Sequence, residues 1–368
     1  MGTAARRPSP RQLGLVLAAG GVLLLSAANG GFFPTSWRWG AAAFAAAACI
    51  AVLLEGRVVV SRAGAVLIAC LIAFGGWTTL SAAWSLDRHA TLLESQRLLL
   101  YAAALAAFLA ARRGLTSGVV LGATAVAVWA LADRYLGSAP TDPFEGKLLS
   151  APLGYANALG ALTAMAAVAC AVVALRFRIA ALPLLVLLPA LALTNSRGAM
   201  VAAAVGLVVG GTLAFGHRLA AAGVLAAAIV ALAVVLAAPL GGLGNRSAYW
   251  GVARGSVSHH LVAGSGAGTF AQVYRAERPA GPVTRNAHSL YLETLDELGV
   301  FGLVLLLATL AVPAVAGVLR GRAAAPAIAG YTVFLLHGGI DWDWSMPAVT
   351  VAALALAAAA TAEDPGGF

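Results

Sequence analysis

Apolar runs of helix length recur along almost the whole chain and are separated by short polar breaks. A helix needs about 20 mostly apolar residues to cross the hydrocarbon core of a bilayer. The pattern predicts about twelve membrane-spanning helices, at residues 13–28, 38–55, 63–81, 97–111, 116–135, 152–175, 179–194, 198–215, 219–239, 299–319, 325–340 and 345–362. The predicted fold is therefore all-α, with one integral membrane domain over residues 1–368.

Composition supports a membrane protein. The chain is 61% hydrophobic and only 10% charged, whereas a soluble domain carries about 25% charged residues. The net charge of +9 does not indicate nucleic-acid binding, because the arginines are scattered between apolar runs and form no basic face. Cys49, Cys70 and Cys170 fall inside apolar runs, so we interpret them as small packing residues rather than disulfide or zinc ligands.

The charge of the polar breaks predicts the topology. If the N-terminus is cytoplasmic, every short inward break is basic, and the inward side holds twelve of the 23 basic residues and three of the 14 acids. This follows the positive-inside rule. The first apolar run follows Arg6, Arg7 and Arg11 and resembles a signal peptide, but we favour an uncleaved first helix because so many spans follow. The prediction is a multi-pass protein of the inner (cytoplasmic) membrane with both termini in the cytoplasm.

The segment 240–298 is by far the longest of the predicted outward loops. Long loops with many ionisable groups are usually functional, so we expect this outward-facing loop to carry part of an active site. Its ionisable residues include Arg246, Arg254, His259, His260, Arg275, Arg278, Arg285, His288, Glu293, Asp296 and Glu297.

Two arginines fall at predicted outer membrane boundaries. Arg197 lies in Thr194-Asn195-Ser196-Arg197-Gly198, between two apolar runs, and Arg246 follows the ninth run with Tyr249 and Trp250 close behind it. Either arginine can be a helix-end anchor whose charge reaches the interface. The functional interpretation is an anion clamp, because a guanidinium grips a phosphate through two parallel hydrogen bonds.

Two further motifs lie in the long loop. His288 is a candidate general base or proton relay, although a single histidine is more often structural. Glu293 follows five residues later, at the approach to the next apolar run. The glycine-rich stretch 264–270, with Gly266 and Gly268, resembles a phosphate cradle only weakly, since no strand or P-loop lysine accompanies it. A tight turn is its default interpretation.

Asp341-Trp342-Asp343-Trp344 lies between the last two apolar runs. Two carboxylates alone are a weak metal signal, and tryptophan is ordinary at a membrane interface. We therefore predict no metal site and no cofactor.

In their order along the chain, these motifs resemble the O-antigen ligase / O-antigen polymerase family of membrane glycosyltransferases. The motifs are Gly154-Tyr155-Ala156-Asn157, Ser196-Arg197-Gly198, Arg246 with Trp250, the glycine-rich stretch, and His288-Ser289-Leu290-Tyr291-Leu292-Glu293 before Glu297-Leu298-Gly299. The strongest signals span residues 154–302. The family often has asparagine after the loop histidine, where this chain has Ser289.

The resemblance implies an undecaprenyl-diphosphate-linked glycan donor that passes its glycan, with inversion and without metal, to a hydroxyl of a glycan or lipid acceptor at the outer face. It implies catalytic roles for His288, Arg197 and Arg246, of which the arginines stabilise the diphosphate leaving group. Expected substrate-binding residues are Asn157, Tyr249, Gly266, Gly268, Arg254 and Glu293. Membrane lipid surrounds the enzyme, and a polysaccharide chain-length regulator is a candidate partner.

Three questions stay open at this point. The ligase, polymerase and protein-glycosylating branches share these residues and differ in acceptor. A transporter or flippase of lipid-linked glycans is an alternative, although such proteins need ionisable residues near the midplane, and this sequence concentrates its charges at the helix ends. A non-catalytic partner in envelope assembly is a second alternative. The catalytic hypothesis requires Arg197, Arg246 and His288 to converge beneath the long loop.

Overall fold

The computed structural model describes residues 10–55, 59–137, 145–237, 245–278 and 284–362. These residues form helices and no strand, which confirms the all-α prediction. The α-helices are α1 Pro10–Ala27, α2 Pro34–Glu55, α3 Arg62–Leu80, α4 Arg88–Ala111, α5 Leu115–Leu136, α6 Ala156–Ala174, α7 Leu184–Thr194, α8 Arg197–Ala214, α9 Arg218–Ala237, α10 Arg246–His260, α11 Phe270–Glu277, α12 Leu290–Arg320, α13 Ala325–His337 and α14 Pro347–Thr361.

Within the described ranges, eight helices are long and apolar enough to cross a membrane: α2, α3, α4, α5, α6, α8, α9 and α12. Shorter apolar helices occupy Gln12–Ala27, Arg178–Thr194, Ala325–His337 and Pro347–Thr361, at the four remaining positions where the sequence predicts spans. The count of twelve stays a prediction. The charge-based topology also rests on residues outside the described ranges, namely Arg6, Arg7, Arg57, Glu363 and Asp364.

Helix α4 begins nine residues before the predicted apolar run at 97–111. Asp87 caps the helix, since its Oδ1 accepts from the Ala90 N–H at 3.0 Å. The polar first half is tolerated because its charges pair: Arg97 is buried, forms an ion pair with Glu94, and lies 5.5 Å over the Trp37 ring. Charge pairing of this kind is invisible to a hydropathy pattern.

Helix α12 also begins early, at Leu290 instead of 299. The Ser289 hydroxyl accepts from the Leu292 N–H at 3.3 Å and caps it. The helix is interrupted at Gly299, whose φ of +65° favours glycine. The predicted outward loop 240–298 therefore contains α10, α11 and the first turns of α12. Less of this segment is irregular than the sequence indicates.

Close backbone contacts place α13 between α6 and α8. A Cβ at Gly330 on α13 would lie 2.7 Å from the Met165 carbonyl oxygen on α6, and one at Gly206 on α8 would lie 2.5 Å from the Ala329 carbonyl oxygen. Small residues permit such approaches in a bilayer, where van der Waals packing drives helix association. The packing brings the segment after α13 towards the starts of α6 and α8.

Candidate active site

The centre of the candidate site is a buried carboxylate. Asp341 has no exposed surface, and its Oδ2 accepts from Arg246 Nη2 at 2.7 Å and from Asn157 Nδ2 at 2.8 Å. Its Oδ1 accepts from the Tyr155 hydroxyl at 2.8 Å and from the Trp342 N–H at 2.9 Å. Each oxygen thus accepts two hydrogen bonds, which offsets the cost of burying the carboxylate. Asp341 thus joins α10 to the start of α6.

Tyr155 reinforces this centre from the N-terminal end of α6. Burial raises the pKa of its hydroxyl well above the usual value, so the group stays protonated and donates to Asp341. Its ring lies 4.6 Å from that of Trp342 at an interplanar angle of 32°. Asn157 donates to both Tyr155 and Asp341, which gives this predicted residue a defined place in the site.

Arg246 is partly exposed, whereas its partner Asp341 is buried. Its Nε donates to the Ile340 carbonyl at 2.8 Å, and one third of its side chain (33%) is exposed. It opens α10, where the helix dipole adds positive potential to the guanidinium charge. A cation that is held by hydrogen bonds on one side, exposed on the other and located at a helix N-terminus is suited to bind an anion.

His288 lies beside the same cluster. Its ring centroid is 5.1 Å from that of Tyr249 and 6.3 Å from that of Trp342. Its Nδ1 lies 3.1 Å from the Asn286 carbonyl oxygen. A carbonyl only accepts, so Nδ1 carries the proton and Nε2 keeps a lone pair. Burial lowers the pKa of His288, which favours the neutral, basic form at neutral pH.

Glu293 stabilises the loop that carries His288. One carboxylate oxygen accepts from Asn286 Nδ2 at 3.0 Å and the other from the Ala287 N–H at 2.6 Å. Trp250 Nε1 donates to the His288 carbonyl at 3.3 Å. His288 itself has a left-handed φ of +55°, an uncommon conformation that these bonds maintain. Glu293 thus positions His288, and its contact with substrate stays a prediction.

Arg197 is exposed at the first position of α8, and its setting is defined by its neighbours. Ser196 Oγ lies 3.4 Å from His337 Nε2, and a Cβ at Gly198 would lie 2.6 Å from Ile340 Cδ1. Ile340 therefore contacts the turn of Arg197 with its side chain and Arg246 with its carbonyl. Both arginine-bearing segments contact residues 337–340, while convergence of Arg197 itself with His288 stays a prediction.

Sequence reasoning missed the pair of His337 and Asp343. His337 Nδ1 lies 2.6 Å from Asp343 Oδ2, and both side chains are buried. The available signal was an ionisable residue in an apolar run, which in a membrane helix has a functional or structural partner by default. The pair connects the end of α13 to the Asp-Trp-Asp-Trp segment and supports the Ser196 turn.

Breaking this pair is expected to destabilise the protein. His337→Ala leaves Asp343 buried without its partner, which costs about 3–5 kcal/mol. Thermal unfolding in detergent micelles should show a clearly lowered midpoint. His217→Ala is the matched control, because His217 is exposed, and its midpoint should stay at the wild-type value. An unchanged midpoint for His337→Ala would show that the pair carries no stability.

The glycine-rich stretch is a turn that docks on α12. The N–H groups of Gly268 and Phe270 donate to the two carboxylate oxygens of Glu297 at 2.7 and 2.9 Å, and the Gly266 N–H donates to the Glu297 carbonyl at 2.7 Å. Gly266 and Gly268 have φ of +104° and +75°. These amides bind a protein carboxylate, which agrees with the tight-turn interpretation. Substrate binding by Gly266 and Gly268 stays a prediction.

The remaining predicted residues have structural partners as well. Arg254 Nη1 donates to the Leu236 carbonyl in the last turn of α9 at 2.7 Å, a favourable place for a cation. Tyr249 lies between His288 and Tyr274 and so lines the histidine side of the site. Their roles towards substrate stay predictions.

Metal ligands are not gathered in the described residues: no three histidine, cysteine, aspartate or glutamate side chains form a group that would hold an ion. Asp341 and Asp343 are directed to different partners, Arg246 and His337. Metal independence stays a prediction, which a chelator tests directly.

Comparison with protein families finds a match to a model described as O-antigen ligase over residues 179–307. A comparison with curated proteins found no match. The matched range includes Arg197, Arg246 and His288, while Asn157 and Asp341 lie outside it. With its many apolar helices, the chain is an integral membrane protein, and the match supports its assignment to the O-antigen ligase/polymerase family, whose members act in glycan transfer during cell-surface polysaccharide biosynthesis.

Proposed function

We propose that the protein is an inverting glycosyltransferase that transfers or polymerises an undecaprenyl-diphosphate-linked oligosaccharide onto an acceptor hydroxyl. The observation that carries the proposal is the position of His288, with Nδ1 3.1 Å from the Asn286 carbonyl oxygen, beside the Asp341–Arg246 ion pair. A base with a free lone pair and a partly exposed cation are the two groups that this reaction requires. The family match supports the same class of reaction.

The arginines bind the leaving group. Arg246, held in orientation by Asp341 and Ile340, directs its exposed face to the diphosphate, and Arg197 adds a second cation from the start of α8. As the bond between the anomeric carbon and the phosphate oxygen breaks, the electron pair leaves with the diphosphate. Fixed cations stabilise that developing charge without reorganising.

His288 activates the acceptor. The acceptor hydroxyl oxygen attacks the anomeric carbon from the face opposite the diphosphate, which inverts the configuration, and its proton passes to His288 Nε2. General base catalysis of this kind contributes about 10²–10⁴-fold. Tyr249 and Trp342 flank the imidazole and provide aromatic surfaces for a sugar ring.

The proposal includes the topology. Twelve spans, formed by the eight long helices and the four shorter apolar ones, put both termini in the cytoplasm and the starts of α6, α8 and α12 at the outer face. The starts of these helices carry Asn157, Arg197 and, one residue before α12, Ser289 with His288. The inner membrane is the compartment in which such donors are presented.

The test is a transfer assay in membranes that uses an undecaprenyl-diphosphate oligosaccharide, with and without a chelator. We expect wild-type protein to transfer the glycan equally in both conditions. Product size separates polymerase from ligase. Loss of activity with chelator would refute metal independence, and movement of intact donor across vesicles without transfer would favour the transporter alternative.

The pH dependence should follow His288. Because burial lowers its pKa below the usual value of about 6.5, the base is present at neutral pH and is lost as the pH falls through that lowered pKa. The acid limb of kcat/KM, which reports the free enzyme, should therefore lie below pH ~6.5. His288→Gln should remove this limb from the residual activity. An acid limb that persists in the variant would assign the titration to another group.

A further inference from the structure

A groove lined almost wholly by hydrocarbon runs between α9 and α12, and Leu335 of α13 also lines it. Its volume is 590 Å³. Tyr291 lines one end, and its hydroxyl donates to the Leu335 carbonyl at 2.7 Å, so the phenol presents mainly its ring to the groove. Polar ligands find no partner along such a surface.

Length is the first property that indicates a ligand. The residues of α12 that line the groove extend from Leu303 to Leu319, which corresponds to about 24 Å at a rise of 1.5 Å per residue. The hydrocarbon core of a bilayer is about 30 Å thick. The groove therefore follows most of one membrane span, as an extended lipid chain does.

The groove forms because the facing surfaces of α9 and α12 carry short side chains and the two helices make few contacts. Ala226 and Ala233 line it from α9, and Ala311 and Ala314 line it from α12. Only 17% of the most apolar part of α9 is buried, and this helix packs mainly on α8 and more sparsely on α12 and α13. Short side chains and sparse contacts leave room for one chain between the helices.

The groove adjoins the candidate active site, since Leu232 and Tyr291 of the groove pack against the same apolar cluster as Ile340. At the end where α12 begins, it is lined by Tyr291, three residues after His288, and by Leu236, whose carbonyl accepts from Arg254. A Cβ at Gly339 would lie 2.4 Å from Leu232 Cδ2 in the groove. The next residue, Ile340, accepts from Arg246. An amphiphile in the groove thus has its head beside these arginines.

We propose that the groove between α9 and α12 binds the polyprenyl chain of the lipid-diphosphate donor. This inference rests on the proposed function. The chain is already in an apolar solvent before it binds, so the groove supplies packing and alignment rather than hydrophobic transfer. Alignment places the anomeric carbon between the arginines and His288, which is the gain expected from fixing a reactant.

The first test fills the groove. Ala311→Phe and Ala226→Phe replace exposed groove alanines far from the end that adjoins the candidate active site. For an undecaprenyl donor, each should lower kcat/KM by about tenfold, the lower end of what a misfitted apolar pocket produces. For a donor with a chain of two or three isoprene units, the wild type and the variants should agree, because a short chain does not occupy the filled region.

Ala106→Phe is the matched control. Ala106 lines a second apolar groove of 610 Å³, with Ala48, Val52 and Ile68, between α2, α3 and α4. This variant should leave both donors unaffected. Equal activity of all three variants towards the undecaprenyl donor would overturn the inference while leaving the proposed function intact. An inactive wild type would instead refute the proposed function, and the inference with it.

A binding measurement is independent of turnover. Wild-type protein in phosphatidylglycerol nanodiscs is photolabelled with a polyprenyl diphosphate that carries a diazirine on its chain and no glycan. We expect labelled peptides from α9 and α12, and displacement by unlabelled polyprenyl diphosphate but not by added phosphatidylglycerol. Labels on α2 and α4 instead, or equal displacement by both lipids, would overturn the inference and assign the groove to bulk lipid.

Discussion

Arg246→Ala is expected to abolish measurable transfer while also destabilising the protein. The variant loses the cation that the proposed mechanism assigns to the diphosphate, and removal of one such group costs about 10²–10³-fold in kcat. It also leaves Asp341, which has no exposed surface, without its ion-pair partner, a loss of about 3–5 kcal/mol. Transfer rates in membranes and unfolding midpoints in detergent measure the two effects separately.

A double variant separates chemistry from folding. Arg246→Ala combined with Asp341→Asn removes the buried charge together with its partner, so most of the lost stability should return because a neutral amide is left behind. Transfer should not return. Arg246→Lys retains the charge but not the fork that bonds Asp341 and Ile340 together, and intermediate activity is expected. Wild-type transfer by the double variant would refute the clamp.

His288→Ala is expected to lower kcat by about 10²–10⁴-fold, the usual range for a missing general base. The donor KM should change little, because Arg246 and its bonds to Asp341 and Ile340 do not depend on the imidazole. The split between kcat and KM distinguishes a base from a residue that merely shapes the donor site. Initial rates at varied donor concentration provide the measurement.

His259→Ala is the control for this variant, since His259 is exposed in the last turn of α10 and contacts none of the groups described above. It should retain wild-type kcat. If His288→Ala raised the donor KM and left kcat unchanged, His288 would be a binding residue and another group would have to accept the acceptor's proton.

The sequence indicated individual site residues better than it indicated their partners. Arg246 could be proposed from the sequence because a charge at an apolar boundary is costly, and His288 because its residue type suits proton transfer; their roles towards substrate stay predictions. The role of Asp341 could not be predicted, since this residue lies 95 residues from Arg246 and its short motif resembled a weak metal site. Only packing of α13 between α6 and α8 brings that carboxylate to Tyr155, Asn157 and Arg246.

The fold shows the same division. Apolar runs predicted the long helices because hydropathy is a local property of the sequence. The early start of α4 was missed because Arg97 pairs with Glu94 one turn away in the same helix and lies over the Trp37 ring of α2. That of α12 was missed because Glu293 and Glu297 accept N–H groups from other segments. A polar stretch is predicted as a loop as long as its hydrogen-bond and ion-pair partners are unknown.

The bond between Arg246 and Asp341 has a consequence for biosynthesis. A chain inserted from its N-terminus delivers Arg246 and His288 to the membrane before α13 and the carboxylate that follows it. Until that last helical pair is inserted, Tyr155, Asn157 and Arg246 lack their shared acceptor. Under the proposed function, the nascent chain is expected to stay inactive until its insertion is complete.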